Sequence, residues 1–156
     1  MNRFIIAIAA SLFLLCSFTA GAQTFVRYSE DGGEIHWGMV HDDGIYELAN
    51  APYNGLVHTG EKVQREDVKL EAPVDPTLVF MTAFNFLSHI SGDPAEFPGL
   101  FIVPASSIIG PEDPIVRPAE SRNLHYEAEM AIVIGKRAEN VSVEDAHEYI
   151  FGVTAG

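Results

Sequence analysis

The chain has 156 residues, of which 47% are hydrophobic and 10% aromatic, enough apolar content for a packed domain of ordinary size and too much for a disordered polypeptide. Its 22 Asp+Glu against 9 Lys+Arg give a net charge of −13. That balance argues against nucleic acid and against an anionic membrane surface as partners, because both require a basic patch.

Residues 1–22 have the pattern of a secretory signal peptide. Arg3 supplies a short positive start, residues 4–18 are an almost unbroken apolar run, and Ala20-Gly21-Ala22 offers small residues for cleavage before Gln23. The run is too short to cross a bilayer comfortably. Leu15 precedes Cys16, which is not the small residue a lipoprotein site prefers. Export to the periplasm or outside the cell is therefore expected, with no membrane attachment after cleavage. Cleavage takes away Arg3 and no acid, leaving a net charge of −14, and removes the single cysteine. The remaining chain then has no disulfide, no thiolate nucleophile and no cysteine metal ligand.

Residues 24–29 alternate apolar and polar side chains, the period of a half-buried strand. Glu30-Asp31-Gly32-Gly33 reads as a turn, and residues 34–41 as the returning strand, with Ile35, Trp37 and Met39 on one face. Asp42-Asp43-Gly44 is a second turn and residues 45–48 a third strand, completing an antiparallel meander in which Trp37 and Tyr46 are expected in the core. Residues 49–70 are less regular and carry a solvated set of charges. The two prolines of Glu71-Ala72-Pro73-Val74-Asp75-Pro76 break any regular element, and this linker separates a small N-terminal β domain, residues 23–72, from a main domain, residues 73–156.

In the main domain, strands are expected over residues 77–82 and 100–103, with a short helix or turn over residues 85–90. Residues 104–118 form a long connection rich in Pro, Gly and Ser. Ser142 is a natural N-cap with Asp145 three residues later, which predicts a two-turn helix over residues 143–150. Asn140-Val141-Ser142 is formally a glycosylation sequon.

Residues 125–136 read as the central strand, with apolar β-branched residues in its second half and Gly135 at its close. A strand's period of two puts Glu127 and Glu129 on one face, about 7 Å apart along the chain. Two like charges beside an apolar run repel, and a hard cation with oxygen ligands would relieve them. A solvated edge strand using acids to block aggregation is the other reading of the same pattern.

Taken in order, these segments resemble the fumarylacetoacetate hydrolase family. Phe25-Val26-Arg27-Tyr28, Trp37-Gly38 and Val68-Lys69-Leu70-Glu71-Ala72-Pro73 look like the small β domain that precedes the catalytic domain in many members. Asn85-Phe86 with His89, then Pro104-Ala105-Ser106-Ser107 and Gly110-Pro111-Glu112-Asp113-Pro114-Ile115, look like successive motifs of the catalytic domain, and residues 126–156 match most closely.

The resemblance implies an α+β, β-rich fold: the N-terminal antiparallel unit followed by the start of a mixed β-sandwich roll of the fumarylacetoacetase C-terminal-domain type, usually dimeric. It implies a divalent metal site, Mg²⁺ first with Mn²⁺ or Ca²⁺ as alternatives, in which Glu127 and Glu129 match the first two ligands and an aspartate further on would be the third. It implies His89 as the general base that activates water. The reaction implied is metal-dependent hydrolysis, decarboxylation or isomerisation of a small oxo-acid or acylpyruvate, with C–C bond hydrolysis foremost. Three positions depart from the family pattern. Gly92 stands where a glutamate commonly orients the histidine, with Asp93 one residue on. Val103 stands in place of a lysine. The sequence reaches Gly156 before the expected aspartate, and so reads as the front part of a longer protein. These departures keep a second reading open, that of a non-catalytic member acting at most as a ligand binder.

Overall fold

The structure, a computed structural model, describes residues 21–156, so the leader reading and Cys16 fall on residues outside those described. The architecture is a β-rich α+β fold. Strands β1 (Thr24–Ser29), β2 (Ile35–His41), β3 (Gly44–Leu48), β4 (His58–Val63) and β5 (Lys69–Leu70) build one antiparallel sheet in the order β4-β3-β2-β1-β5. Two antiparallel hairpins follow: β6 (Val79–Ala83) with β7 (Gly99–Val103), and β8 (Met130–Ile134) with β9 (Ile150–Ala155). Short 3-10 turns supply the helical content of the described residues.

The meander forms where alternation and turn chemistry placed it, and β6 and β7 lie within a residue or two of expectation. Strand β4 lies inside the stretch read as irregular. Its sequence, HTGEKV, has no apolar side chain before Val63 and is almost wholly exposed, so it has no apolar period to reveal it. It is ordered by its ladder with β3, in which Ile45 faces Val63 and Tyr46 faces Lys62.

The buried cluster of the sheet lies on the face opposite to the one expected, although Leu48, which pairs with Trp37, is buried too. Paired residues share a face, and the pairs Tyr28/Leu70, Val26/Gly38 and Ile45/Val63 put Val26, Tyr28, Gly38, Ile45, Val63 and Leu70 together. Tyr28, Ile45 and Val68 form the buried cluster, with Val26, Val63 and Leu70 packed around it. Trp37 and Tyr46 are only half-buried, and Ile35 is exposed. Gly38 decides the matter. It is buried, and Tyr28 and Ile45 lie directly over its Cα, so the smallest residue of β2 faces the core.

Trp37 instead belongs to an aromatic chain across the other face. Trp37 meets Tyr53 edge-on at 5.8 Å, Tyr53 meets Phe151 at 5.7 Å, and Phe151 meets Phe25 at 5.6 Å. Phe151 lies on β9, so this chain ties the first sheet to the last hairpin. Such aromatic contacts each contribute about 0.5–1.5 kcal/mol beyond area burial.

A second tie holds the long Pro/Gly connection against β5. Lys69 Nζ pairs with Asp113 Oδ1 at 2.9 Å, and Asp113 Oδ2 accepts the Gly110 backbone N–H at 2.8 Å. The Lys69 ammonium and then the Gly110 N–H hold the Asp113 carboxyl below the usual carboxylate range, while Asp113 raises Lys69. A depressed carboxyl stabilises the fold above its unfolded value, near pH 3.9, and that contribution is lost as pH falls through the folded value. Asp113→Asn is therefore expected to speed exchange of the Gly110 amide about two- to fivefold at pH 7, an effect of the size exposed ion pairs have. The variant and the parent should converge once the pH has fallen below the folded value of Asp113. Hydrogen exchange followed by NMR checks this, and equal rates at pH 7 would show that the tie is not formed.

The predicted helix over residues 143–150 is corrected. Its N-cap chemistry is present, with Asp145 N–H donating to Ser142 Oγ at 3.1 Å and Ser142 Oγ donating to Asp145 Oδ2 at 2.8 Å. The Ser142 turn leads into a single 3-10 stretch, Ala146–Tyr149, whose own N-cap, Asp145, makes no side-chain cap bond, and Ile150 already belongs to β9. The β-branched run beginning at Ile150 pairs with β8, and that ladder outweighs a second helical turn.

Candidate functional site

His89 closes a 3-10 turn, Leu87–His89, that follows β6. Phe84, just past the strand, has φ +55°, the left-handed region that costs a bulky L-residue about 1–2 kcal/mol. This reversal turns Asn85 and Phe86 out of the strand direction. The turn is then fixed by His89 N–H donating to the Phe86 carbonyl at 2.9 Å. The imidazole is exposed and lies 5.8 Å from the Phe86 ring.

The missing orienting glutamate has a conformational reason. Gly92 adopts φ +99°, which L side chains rarely adopt, although the space around it is open. A glutamate there would be strained by the backbone before it could reach His89. Asp93 is exposed.

The expected Glu127/Glu129 strand is corrected in part. Strand β8 begins only at Met130. Glu129 joins its end through reciprocal backbone hydrogen bonds with Gly156, both 2.9 Å, and is half-buried. Glu127 lies outside the ladder, exposed, in the irregular segment before it. With no partner strand at Glu127, the alternation of a strand no longer fixes the two carboxylates on one rigid face.

The expected metal centre is corrected as well. Among the described residues no group of three or more His, Cys, Asp or Glu side chains is placed to hold a metal ion. Glu127, Glu129 and His89 are thus not brought into one cluster. A hard divalent ion wants six or more oxygen ligands in a compact shell, and two carboxylates, one of them on an irregular segment, do not furnish a cage. The Mg²⁺, Mn²⁺ or Ca²⁺ cofactor, the metal-binding description, and the metal-dependent hydrolase acting on C–C bonds, with Glu127 and Glu129 holding the ion for His89, are overturned on the arrangement of these donors.

Other histidines are accounted for locally. His36 Nδ1 lies 3.2 Å from Glu47, which also accepts the Tyr28 hydroxyl at 3.2 Å. His41 meets Tyr46 edge-on at 4.8 Å, His125 contacts Asn123, and His147 contacts the Glu144 carbonyl. Sequence reasoning missed the grooves. One is lined by Arg27, Glu71, Val74, Ile108, Ile109 and Asp113, between the first sheet and the Pro/Gly connection. Arg27 there is committed to the carbonyls of Ala72 at 3.2 Å and Val74 at 3.0 Å, so it fastens the linker and is not free for a ligand.

Comparison with known proteins gives two family matches that overlap over residues 58–73. Residues 24–73 match the family described as Rv2993c-like, N-terminal, and residues 58–156 match that described as fumarylacetoacetate (FAA) hydrolase C-terminal. Protein Rv2993c of Mycobacterium tuberculosis is 36% identical over 134 residues, covering 84% of this chain and 50% of that protein. Oxaloacetate tautomerase fahd2, mitochondrial, of Xenopus laevis is 36% identical over 96 residues, covering 59% of this chain and 30% of its own length. Among solved structures, 5-carboxymethyl-2-hydroxymuconate delta-isomerase from Mycobacterium smegmatis superposes with a TM-score of 0.75 at 31% identity, covering 86% of this chain and 54% of that one. The chain spans about half the length, or less, of the curated relatives it matches. With the FAA hydrolase match running through most of the chain and a β-rich structure that superposes on solved relatives, the chain belongs to the fumarylacetoacetate hydrolase family.

Proposed function

We propose that this protein recognises a small oxo-acid and that His89 is the side chain that hydrogen-bonds or exchanges a proton with it. The observation that carries the reading is the placement of His89: exposed, at the end of a turn whose backbone is set by a left-handed Phe84. A histidine side chain can take or give a proton near neutral pH. Relatives support the ligand class, since they are named as a tautomerase of oxaloacetate and as isomerases of hydroxy-dienoic or hydroxymuconic acids. What such molecules share is a carboxylate next to a carbonyl or enol. In a chain of net charge −13, such an anion needs a local donor to offset the surrounding field.

The test is a titration with oxaloacetate, with a chelator present, following the histidine ring resonances by NMR. His89 is expected to shift and His125 to stay in place. His89→Ala is expected to weaken binding by about tenfold, the loss that goes with one hydrogen bond to a charged group. A His89 resonance that does not move at saturating oxaloacetate would sink the reading.

A further inference from the structure

We propose that Asn54 is a site of spontaneous covalent modification, deamidation with isomerisation of its backbone, and that this change loosens the aromatic bridge between the first sheet and β9. The chain has one asparagine followed by glycine, Asn54-Gly55. Glycine has no Cβ to shield its own backbone nitrogen, and it turns freely through the angles that bring that nitrogen against the preceding side chain. Asn50, Asn85, Asn123 and Asn140 are followed by Ala, Phe, Leu and Val, whose side chains obstruct the same approach.

The fold leaves this pair open. Ala49 N–H donates to the Val57 carbonyl at 2.8 Å and closes the loop between β3 and β4. Pro52 is buried and anchors the loop, while Asn54 and Gly55 are exposed. Gly55 has φ +108°, and a Cβ added to it would meet nothing within 4 Å. One hydrogen bond, from Gly55 N–H to the Pro52 carbonyl at 3.1 Å, holds the nitrogen that has to react, at the end of the 3-10 turn Pro52–Asn54. Asn50, in the same loop, is secured. Oriented as its surroundings require, its side-chain amide donates to the Ala51 carbonyl at 2.9 Å and to the Gly55 carbonyl at 3.1 Å.

The reaction takes up water and releases ammonia, with no change of oxidation state. The Gly55 backbone nitrogen gives up its proton and attacks Asn54 Cγ. A C–N bond forms, the side-chain amide nitrogen leaves as ammonia with that proton, and a succinimide ring closes. Water then adds to one ring carbonyl and breaks its bond to nitrogen. Opening at Cγ leaves aspartate. Opening at the main-chain carbonyl leaves isoaspartate, in which the backbone runs through the former side chain and gains one carbon. Either product adds one negative charge. The consequence of isoaspartate falls on Tyr53, which stands edge-on between Trp37 at 5.8 Å and Phe151 at 5.7 Å. An extra backbone carbon between Asn54 and Gly55 breaks the spacing on which the Gly55–Pro52 hydrogen bond depends. The turn that aims the Tyr53 ring is then freed. The inference is independent of any role for His89.

The experiment ages the full chain at pH 8 and follows it by peptide mapping. A mass gain of about 1 Da, from NH₂ exchanged for OH, is expected at Asn54. Its rate should exceed that at Asn50, Asn85, Asn123 and Asn140 by about tenfold or more, the advantage of an unshielded glycine nitrogen. An isoaspartate-specific methyltransferase should label the same peptide. Trp37 is the single tryptophan, so its emission reports loss of the Tyr53 edge and is expected to shift in step with conversion. Asn54→Gln closes the corresponding ring far more slowly and should keep its Trp37 emission over the same period. Fresh Asn54→Asp carries the charge without the extra carbon and should emit like the fresh parent. Unchanged shifts around Tyr28 in each sample establish that the first sheet is still folded. Conversion at another asparagine first, a drift of emission equal in Asn54→Gln, a shift already present in fresh Asn54→Asp, or full conversion to isoaspartate with Trp37 unmoved would each overturn the proposal.

Discussion

Replacing Tyr28 with Ala is expected to cost about 3–5 kcal/mol, the range for deleting a large buried ring, and to abolish the cooperative melt of the five-stranded sheet at ambient temperature. Tyr28 is fully buried at 0% exposure, and the buried cluster around it comprises only Ile45 and Val68, with half-buried Val26, Val63 and Leu70 behind them. A core of that size has little to lose. Tyr28→Phe separates packing from hydrogen bonding. It forfeits the hydroxyl contact to Glu47 but leaves Glu47 paired with His36, so about 1 kcal/mol is expected. Far-UV circular dichroism on heating distinguishes the two variants. A Tyr28→Ala melt within 2 °C of the parent would remove Tyr28 from the centre of the core.

Burial, and then the charge of Glu47, push the Tyr28 phenol above its usual range. A raised folded value means that its contribution to stability is full below the unfolded value, near pH 10, and is lost as pH rises from there. Alkaline titration should accordingly leave one tyrosine un-ionised until the sheet itself opens.

Gly38→Ala is expected to cost about 1–3 kcal/mol, and Gly38→Val more, through overpacking. A Cβ at Gly38 would lie 2.2 Å from Ile45 Cγ2 and 3.1 Å from Tyr28 Cε1. The obstructing group is a β-branched methyl with a stiff χ1, so it cannot swing aside cheaply. Ile45→Ala opens that space. The double variant should therefore cost less than the sum of its two parts, by at least about 1 kcal/mol in a double-mutant cycle. Strict additivity would mean that the Gly38–Ile45 contact is not the source of the cost. The same contact explains why a glycine suits position 38, where Tyr28 packs across β2.

Much of the N-terminal sheet is legible in the sequence. Alternation over residues 24–29 and 35–41, with Asp31-Gly32 and Asp43-Gly44 between strands, encodes the hairpins locally, because a turn and a period of two need only neighbours along the chain. Ser142 shows the limit of such local chemistry. Its hydrogen bonds with Asp145 form as expected, yet the helix they would start gives way to β9, whose partner β8 lies 16 or more residues earlier.

The candidate site is less legible, for the same reason. His89 could be singled out as a motif, and the backbone angles that aim it, at Phe84 and Gly92, leave no pattern in composition or period. Glu127 and Glu129 could be read as a ligand pair only on the assumption that both lie on one strand, and the strand begins after them.

By itself, then, the sequence determined the local elements of this protein: its meander, its turns, its linker prolines and the motifs that carry its family. Tertiary structure alone decided which side of β2 faces inward, that Trp37 bridges to Phe151 through Tyr53, and that His89, Glu127 and Glu129 do not converge among the described residues. The physical reason is that β2 carries Ile35, Trp37 and Met39 on one face and Gly38 between His36 and Val40 on the other, so neither face is marked as inner by its own residues. Its inner side is set by whichever ring packs across it, and convergence of distant donors is a property of the packed fold, not of their spacing along the chain.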